Sequence, residues 1–239
     1  MIDFATEKDI NTLKQMWQSV FLEDEEVTEY FFQNIYADVV TSAIRIEKEI
    51  ASSLFLLDCK IGDFKGKCVY CAMTKYNHRG KGYMKKLLDF SYEWCKDNGY
   101  DFLTLVPAEK SLFDYYAKCG FTPFGERRTY TISDKNHERK EKLSFENELT
   151  FDDKILKYWQ NSCVHYGGKI TDFGYIFNDE NVIIRNAKGS FESFPEKYKT
   201  NGTIIQGDIL FGETECPAMI KTENEKIRNM CCYVGITLE

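Results

Sequence analysis

No run of apolar residues in this sequence approaches the ~20 that a membrane-spanning helix needs, so no membrane span is expected. Positive charge is not in excess. Lys and Arg number 31 against 38 Asp and Glu, leaving a net charge of −7. That balance argues against a general nucleic-acid binder, whose surface would be basic. No repeat of solenoid period and no low-complexity tract is present, which sets aside repeat architectures. Metal-ligand spacing is also missing. His78, His137 and His165 are scattered. Cys68-Val-Tyr-Cys71 has C-x-x-C form but lies in a strand-like run, where positions three apart face opposite sides. No metal is expected. The opening "MIDFATEKD" does not read as a secretory leader, and the nine cysteines are an odd number. Both point to free thiols in a reducing, cytoplasmic setting.

What is present fits a folded chain. The 239 residues, 43% hydrophobic and 15% aromatic, allow one large domain or two small ones with a sizeable core. Thr6-Glu-Lys-Asp9 forms a capping box. Behind it Ile10, Leu13, Trp17, Val20 and Phe21 recur at helical spacing, and after the acidic elbow "LEDEE" (22–26) a second helix carries Val27, Phe31, Phe32 and Ile35. Three strand-like runs follow, at 42–47, 52–58 and 68–74, with the glycines of "CKIGDFKGK" suited to a hairpin turn between the last two. A helix opens at Gly82 and stops at Asn98-Gly99. "DFLTLV" (101–106) reads as a buried strand, and a helix is expected from Pro107 to Gly120 with Leu112, Tyr115, Tyr116 and Cys119 inward. Residues 121–133 read as one further strand. The charge-dense stretch 134–148 reads as a linker. Beyond it Thr150-Phe-Asp-Asp153 is expected to cap a helix through Trp159, and "DFGYIF" and "NVIIRN" to pair across Asn178–Glu180.

The chemistry concentrates in "KYNHRGKGYMKK" (75–86). A dinucleotide fingerprint fails there, because Gly80-Lys-Gly82-Tyr-Met-Lys85 lacks the third glycine. A phosphate loop at Gly62–Cys68 fails in length and in its last residue. The pattern R-x-x-G-x-[GA] between a strand and a helix fits Arg79-Gly-Lys-Gly82-Tyr-Met84, save that Met84 takes the last position. Glycines let backbone approach a ligand, and amides at a helix N-terminus bind anions. Arg79 and Lys81 add formal charge.

With the following strand and short helix, these residues resemble the GNAT superfamily of acyl-CoA-dependent N-acetyltransferases. Tyr116-Ala-Lys-Cys-Gly120-Phe121 matches its Y-x-K-x-G-F pattern. Met84 at the last position of the turn is also similar to the branch of enhanced-intracellular-survival acetyltransferases. The resemblance spans about residues 1–133. It implies an α/β (α+β) GNAT fold with a central mixed, mostly antiparallel sheet, followed from residue 149 to 239 by a smaller C-terminal α+β lobe, degenerate and GNAT-like. It also implies acetyl-CoA as cosubstrate. The backbone of Arg79, Gly80, Lys81, Gly82, Tyr83 and Met84 would hold the pyrophosphate. The backbone of Ala72, Met73 and Thr74 would pair with the pantetheine arm, and Leu112 would line the same site. Tyr116 takes the general-acid position. The acceptor is expected to be a small-molecule or peptide primary amine. Its base stays open between the elbow carboxylates Glu23, Asp24, Glu25 and Glu26 and a C-terminal carboxylate like that branch's. A non-catalytic acyl-CoA sensor is the rival reading, separated by whether thiol is released with any amine.

Overall fold

The computed structural model describes residues 1–131, 147–167, 169–171, 174–176, 203–206 and 213–234. Strand β1 (Ile2–Phe4) leads to helices α1 (Ile10–Phe21) and α2 (Glu25–Asn34), then to β2 (Val40–Ile46), β3 (Glu49–Ile61) and β4 (Phe64–Thr74). Next come α3 (Tyr83–Asp97), β5 (Phe102–Leu105), α4 (Ser111–Ala117), β6 (Thr122–Phe124) and β7 (Arg127–Thr131). The remainder supplies β8 (Leu149–Phe151), α5 (Asp153–His165), β9 (Lys169–Thr171), β10 (Gly174–Ile176), β11 (Thr203–Gln206), β12 (Glu213–Glu215), β13 (Ala218–Lys221) and α6 (Glu225–Arg228).

Local chemistry explains most of these boundaries. The Thr6 amide donates to Asp9 Oδ2 at 2.8 Å, as the capping box requires. Arg45 grips the same carboxylate with two N–H groups, each at 2.9 Å. That hydrogen bonding leads the pull of the Asp9 carboxyl down to about 2. Gly62, at φ 56°, makes the two-residue β3–β4 turn with Asp63. Three expectations are corrected. Helix α4 starts at Ser111, not at Pro107. The cap of α5 is Asp152, whose side chain accepts from the Ile155 amide at 2.8 Å, while Thr150 belongs to β8. The run 121–133 is two strands in different sheets, because Gly125 turns the chain at φ 75°. A Cβ at Gly125 would meet Val234 Cγ2 at 2.4 Å, so a larger residue would have to displace Val234 and bear the positive φ.

Among the described residues the main sheet has the order β1-β2-β3-β4-β5-β13-β6, with β8 pairing the far end of β3. Every pairing is antiparallel except β4–β5. This is the mixed, mostly antiparallel sheet that was expected. Two small sheets stand apart, β11-β7-β12 and β10-β9. The expected boundary at 134–148 does not divide the main sheet, since β8 and β13 both follow it in sequence and lie within that sheet. Strand β10 pairs with β9, and the expected hairpin across 178–180 falls outside the described residues.

Strand β3 is buried along nearly its whole length because the sheet is covered on both faces. Phe55, Leu57, Cys59 and Ile61 face a cluster built with α1, α2 and α5, including Trp17, Phe31 and Ile155. Leu54 and Leu56 face a second cluster built with α3 and α4, including Leu87, Leu88, Tyr116 and Phe121.

The closed end of the β4–β5 pair is tight. Gly66 lies opposite Phe102, and a Cβ on Gly66 would fall 2.2 Å from the Phe102 ring. Gly66 is therefore a strand residue with a packing role, and the turn belongs to Gly62. Next to it Lys67, only 2% exposed, pairs with Asp58 at 2.8 Å and lies 4.9 Å over the Tyr100 ring. Gly66→Ala is expected to cost roughly 2–3 kcal/mol, because fully buried Phe102 must leave its position. Urea unfolding checks this: the midpoint should fall and the slope should not.

Candidate active site: a parted strand pair beside a glycine turn

Strands β4 and β5 pair only at Gly66–Phe102, Lys67–Leu103 and Cys68–Thr104. From Val69 to Thr74, β4 continues with no partner on that side among the described residues. The parting has a local cause. Phe55 faces Tyr70 and Ser53 faces Met73, so β4 holds one extra residue across that interval. Cys71 takes φ 48°, a left-handed value rare outside glycine. Such a bulge bends the strand and increases its twist. The far end stays pinned to β3. Ser52 Oγ donates to the Met73 carbonyl at 2.9 Å and lies 2.9 Å from Thr74 Oγ1. The Lys75 amide donates to Ala51 O at 3.0 Å. The free edge at Ala72–Thr74 is thus held firmly from behind, and it presents backbone polar groups toward the gap.

A short helical turn at Tyr76–His78 then reverses the chain. Arg79 Nε donates to the Thr74 carbonyl at 3.2 Å, and its guanidinium lies 5.7 Å from the Tyr76 ring centre. Gly80 and Gly82 adopt φ 73° and 72°. No atom lies within 4 Å of a Cβ built on either glycine, so the need for glycine here is conformational, and both positions are open. The Lys86 amide is the one that reaches Gly82 O, at 3.2 Å. The amides of Tyr83, Met84 and Lys85 stand ahead of it and have no intrahelical acceptor. No acidic residue occupies the first turn of α3. Free amides, the helix dipole and nearby cations make this end attractive to an anion.

Helix α4 packs into the cluster on the α3 face of the sheet. Tyr116 is 9% exposed, with its ring 6.0 Å from Phe121 and 5.3 Å from Tyr115. Burial pushes its phenol up to about 12, with Cys119 adding a little. Tyr115, expected inward, is 37% exposed. Tyr116, Ala72, Tyr83, Met84 and Leu112 all belong to one apolar cluster. Met73 does not; its side chain enters the opposite cluster, as strand alternation requires, and its carbonyl is taken by Ser52 on the β3 side. Arg79, Gly80, Lys81 and Gly82 sit exposed at the rim.

The other face of the bulge brings the elbow carboxylates Glu23 and Glu26 together with Tyr30, Tyr70 and Tyr158, three aromatics that the sequence did not single out. Burial raises both the Tyr70 phenol and the Cys71 thiol, and the Glu23 carboxylate of the α1–α2 elbow adds to each. Helix α5 closes over this face through aromatic contacts. Tyr158 lies 5.8 Å from both Tyr30 and Phe31, and His165 stacks on Tyr30 at 4.4 Å. His165 Nε2 also lies 3.3 Å from Glu26 Oε1. The amphipathic pattern of α5 showed a helix, but not which face of the sheet would receive it. A cavity of about 240 Å³ separates α2 from α5, lined by Tyr30, Asn34, Asp38, Lys154, Tyr158 and Asn161. No cluster of metal-ligating side chains occurs among the described residues, and no described helix is long and apolar enough to cross a membrane.

The family model of the acetyltransferase (GNAT) domain matches residues 1–124. No curated protein matches the chain. Among solved structures, an Enterococcus faecalis protein described as a "probable N-acyltransferase" is 9% identical, with 93% of this chain and 72% of that one covered at a TM-score of 0.68. A GCN5-related N-acetyltransferase from Kribbella flavida is 9% identical, over 93% and 71% of the two chains, at 0.63. Eis1 from Mycobacterium abscessus is 8% identical, over 93% and 73%, at 0.62. At such identities the likeness is one of fold, and it extends well beyond residue 124.

Proposed function

This chain belongs to the GNAT acetyltransferase family, and we propose that it moves the acetyl group of acetyl-CoA to a primary amine by direct attack, with Tyr116 as proton donor. The observation that carries the proposal is the parted β4–β5 pair with the Gly80–Gly82 turn at its mouth. A free strand edge suits the amide-bearing pantetheine arm, and unpaired amides at the start of α3 suit a pyrophosphate. The residues assigned to hold the cosubstrate are Ala72, Met73 and Thr74 through their backbone, Arg79 to Met84 at the turn, and Leu112 against the arm. The cosubstrate supplies an activated thioester. The protein supplies placement and proton management.

An alkylamine with pKa about 10.4 is protonated at neutral pH, and freeing it costs roughly 4–5 kcal/mol. The acceptor is assigned to the bulge face under α5, where elbow carboxylates can draw an ammonium in. Glu23 is the elbow acid felt at both Tyr70 and Cys71. A backbone amide at the bulge is well placed in sequence to meet charge on the thioester oxygen. Tyr116 answers the departing sulfur from the opposite face.

Saturating acetyl-CoA should stabilise the full chain by about 2.7 kcal/mol at a hundred times its dissociation constant. Differential scanning fluorimetry reads this directly, and free-thiol release over a panel of amines then identifies the acceptor. An unshifted melting temperature would remove the cosubstrate assignment. A shift with no thiol release from any amine would leave binding without the proposed transfer.

A further inference from the structure

Tyr116 sits on a helix of only seven residues, so something else must fix its position. The turn that follows it is tightly bonded. The Tyr116 carbonyl accepts from the amides of Cys119 at 2.9 Å and Phe121 at 3.1 Å. The Cys119 carbonyl in turn accepts from Lys221 Nζ at 3.0 Å. Lys221 comes from β13, far along the chain, and its ammonium also meets Asp89 Oδ1 on α3 at 2.8 Å. It lies 5.0 Å over the Tyr92 ring and 5.9 Å over Phe121, and it is 17% exposed. One ammonium thus ties the helix with the pyrophosphate turn at its start to the turn behind Tyr116. Gly120 leaves room for it, since a Cβ there would meet Lys221 Cε at 3.3 Å.

We propose that Lys221 is a positioning residue for proton donation, setting the placement of Tyr116 relative to cosubstrate held by α3. This rests on the reading of Tyr116 as proton donor. Lys221 acts through geometry: the groups that raise the Tyr116 phenol are burial first and Cys119 second. Its loss lets α4 drift against α3. Misplacement of about 1 Å at a reacting centre costs on the order of 100-fold in rate.

The test uses the full chain with acetyl-CoA and the fastest amine of the panel. Lys221→Met keeps the buried stem and removes the ammonium. It should lower kcat about 10–100-fold and leave acetyl-CoA affinity within about twofold. The deciding readout is the double variant. With Tyr116→Phe already present, Lys221→Met should cost less than about threefold, because there is no longer a hydroxyl to place. A merely structural role would subtract equally from both backgrounds. Asp89→Asn removes the outer anchor at a half-exposed site, and should lower kcat in the same non-additive way even if Lys221→Met fails to fold. Wild-type kcat in Lys221→Met or, where that variant does not fold, in Asp89→Asn overturns the proposal, as does an equal loss with and without the Tyr116 hydroxyl. Full activity in Tyr116→Phe alone overturns it together with the proton-donor assignment. An impaired Tyr116→Phe with additive Lys221→Met overturns this inference only.

Discussion

Replacing Tyr116 with Phe should lower kcat by roughly 10²–10⁴ and leave acetyl-CoA affinity unchanged. The substitution removes one oxygen from a buried ring and keeps its packing on Phe121. With the phenol raised to about 12 and a thiol ordinarily near 8.5, complete transfer from tyrosine to a free thiolate runs uphill by roughly 5 kcal/mol. The hydroxyl therefore hands its proton to sulfur as the C–S bond breaks and takes one back from water, while the attacking nitrogen releases one proton to water, so the exchange balances and phenolate does not accumulate. The pH profile follows with a definite sign. A phenol with a raised pKa stays protonated throughout the range below about 12, so no falling limb from Tyr116 should appear between about pH 6 and 10. The rate should instead rise with pH as the acceptor ammonium deprotonates. Tyr115→Phe should change little, because adjacent helical positions diverge and Tyr115 is the more exposed ring. Stopped-time thiol release across pH for both variants decides it. Full activity in Tyr116→Phe, or loss in Tyr115→Phe instead, would show that a core tyrosine had been mistaken for a reactive one.

Gly82→Val should abolish most of the stabilisation by acetyl-CoA. Gly82 holds φ 72°, and a β-branched residue there forces the turn to move or to bear about 1–3 kcal/mol of strain. Either way the amides of residues 83 to 85 lose their aim. Losing two charge-assisted hydrogen bonds weakens binding by about 3 kcal/mol, or roughly 100-fold. At a concentration that gave about 2.7 kcal/mol, only about 0.4 kcal/mol would remain. Gly99→Val is the matched control. Gly99 has φ 77° and equally open surroundings at the other end of α3, so it suffers similar strain with no ligand to lose. Calorimetric titration of both variants should show weakened binding only in Gly82→Val. Equal affinity in the two would mean that the turn does not carry the pyrophosphate.

Local patterns made the first half of the chain legible. Period-two and helical spacing located β2 to β5, α1 to α3 and the turn at Arg79–Met84, because each feature depends on neighbours in sequence. Partners distant in sequence did not show. At Gly125 the only local mark of the break is the glycine itself, and the side chain that crowds that position, Val234, lies far along the chain. "AMIK" (218–221) carries no mark of its place between β5 and β6. The extra residue at Cys71 was hidden in a run that reads as an ordinary strand, and it emerges only from the register against β3. The Arg79–Met84 and Tyr116–Phe121 motifs were found because they are short and continuous. Lys221, held by groups on α3 and on the turn after α4, both distant from it in sequence, was not.

The insertion of β13 also sets an order on birth. Thr104 Oγ1 bonds the Met219 carbonyl across 115 positions. A ribosome adding about 5–20 residues per second needs roughly 6–23 s to cover that interval. During that time β5 has emerged with the edge that β13 later covers still bare, and β6 has no strand to join. The nascent chain thus carries an open β edge for seconds, long enough for holdase chaperones to bind it or for neighbouring nascent chains on a polysome to pair with it. Slower translation past residue 131 would lengthen that exposure.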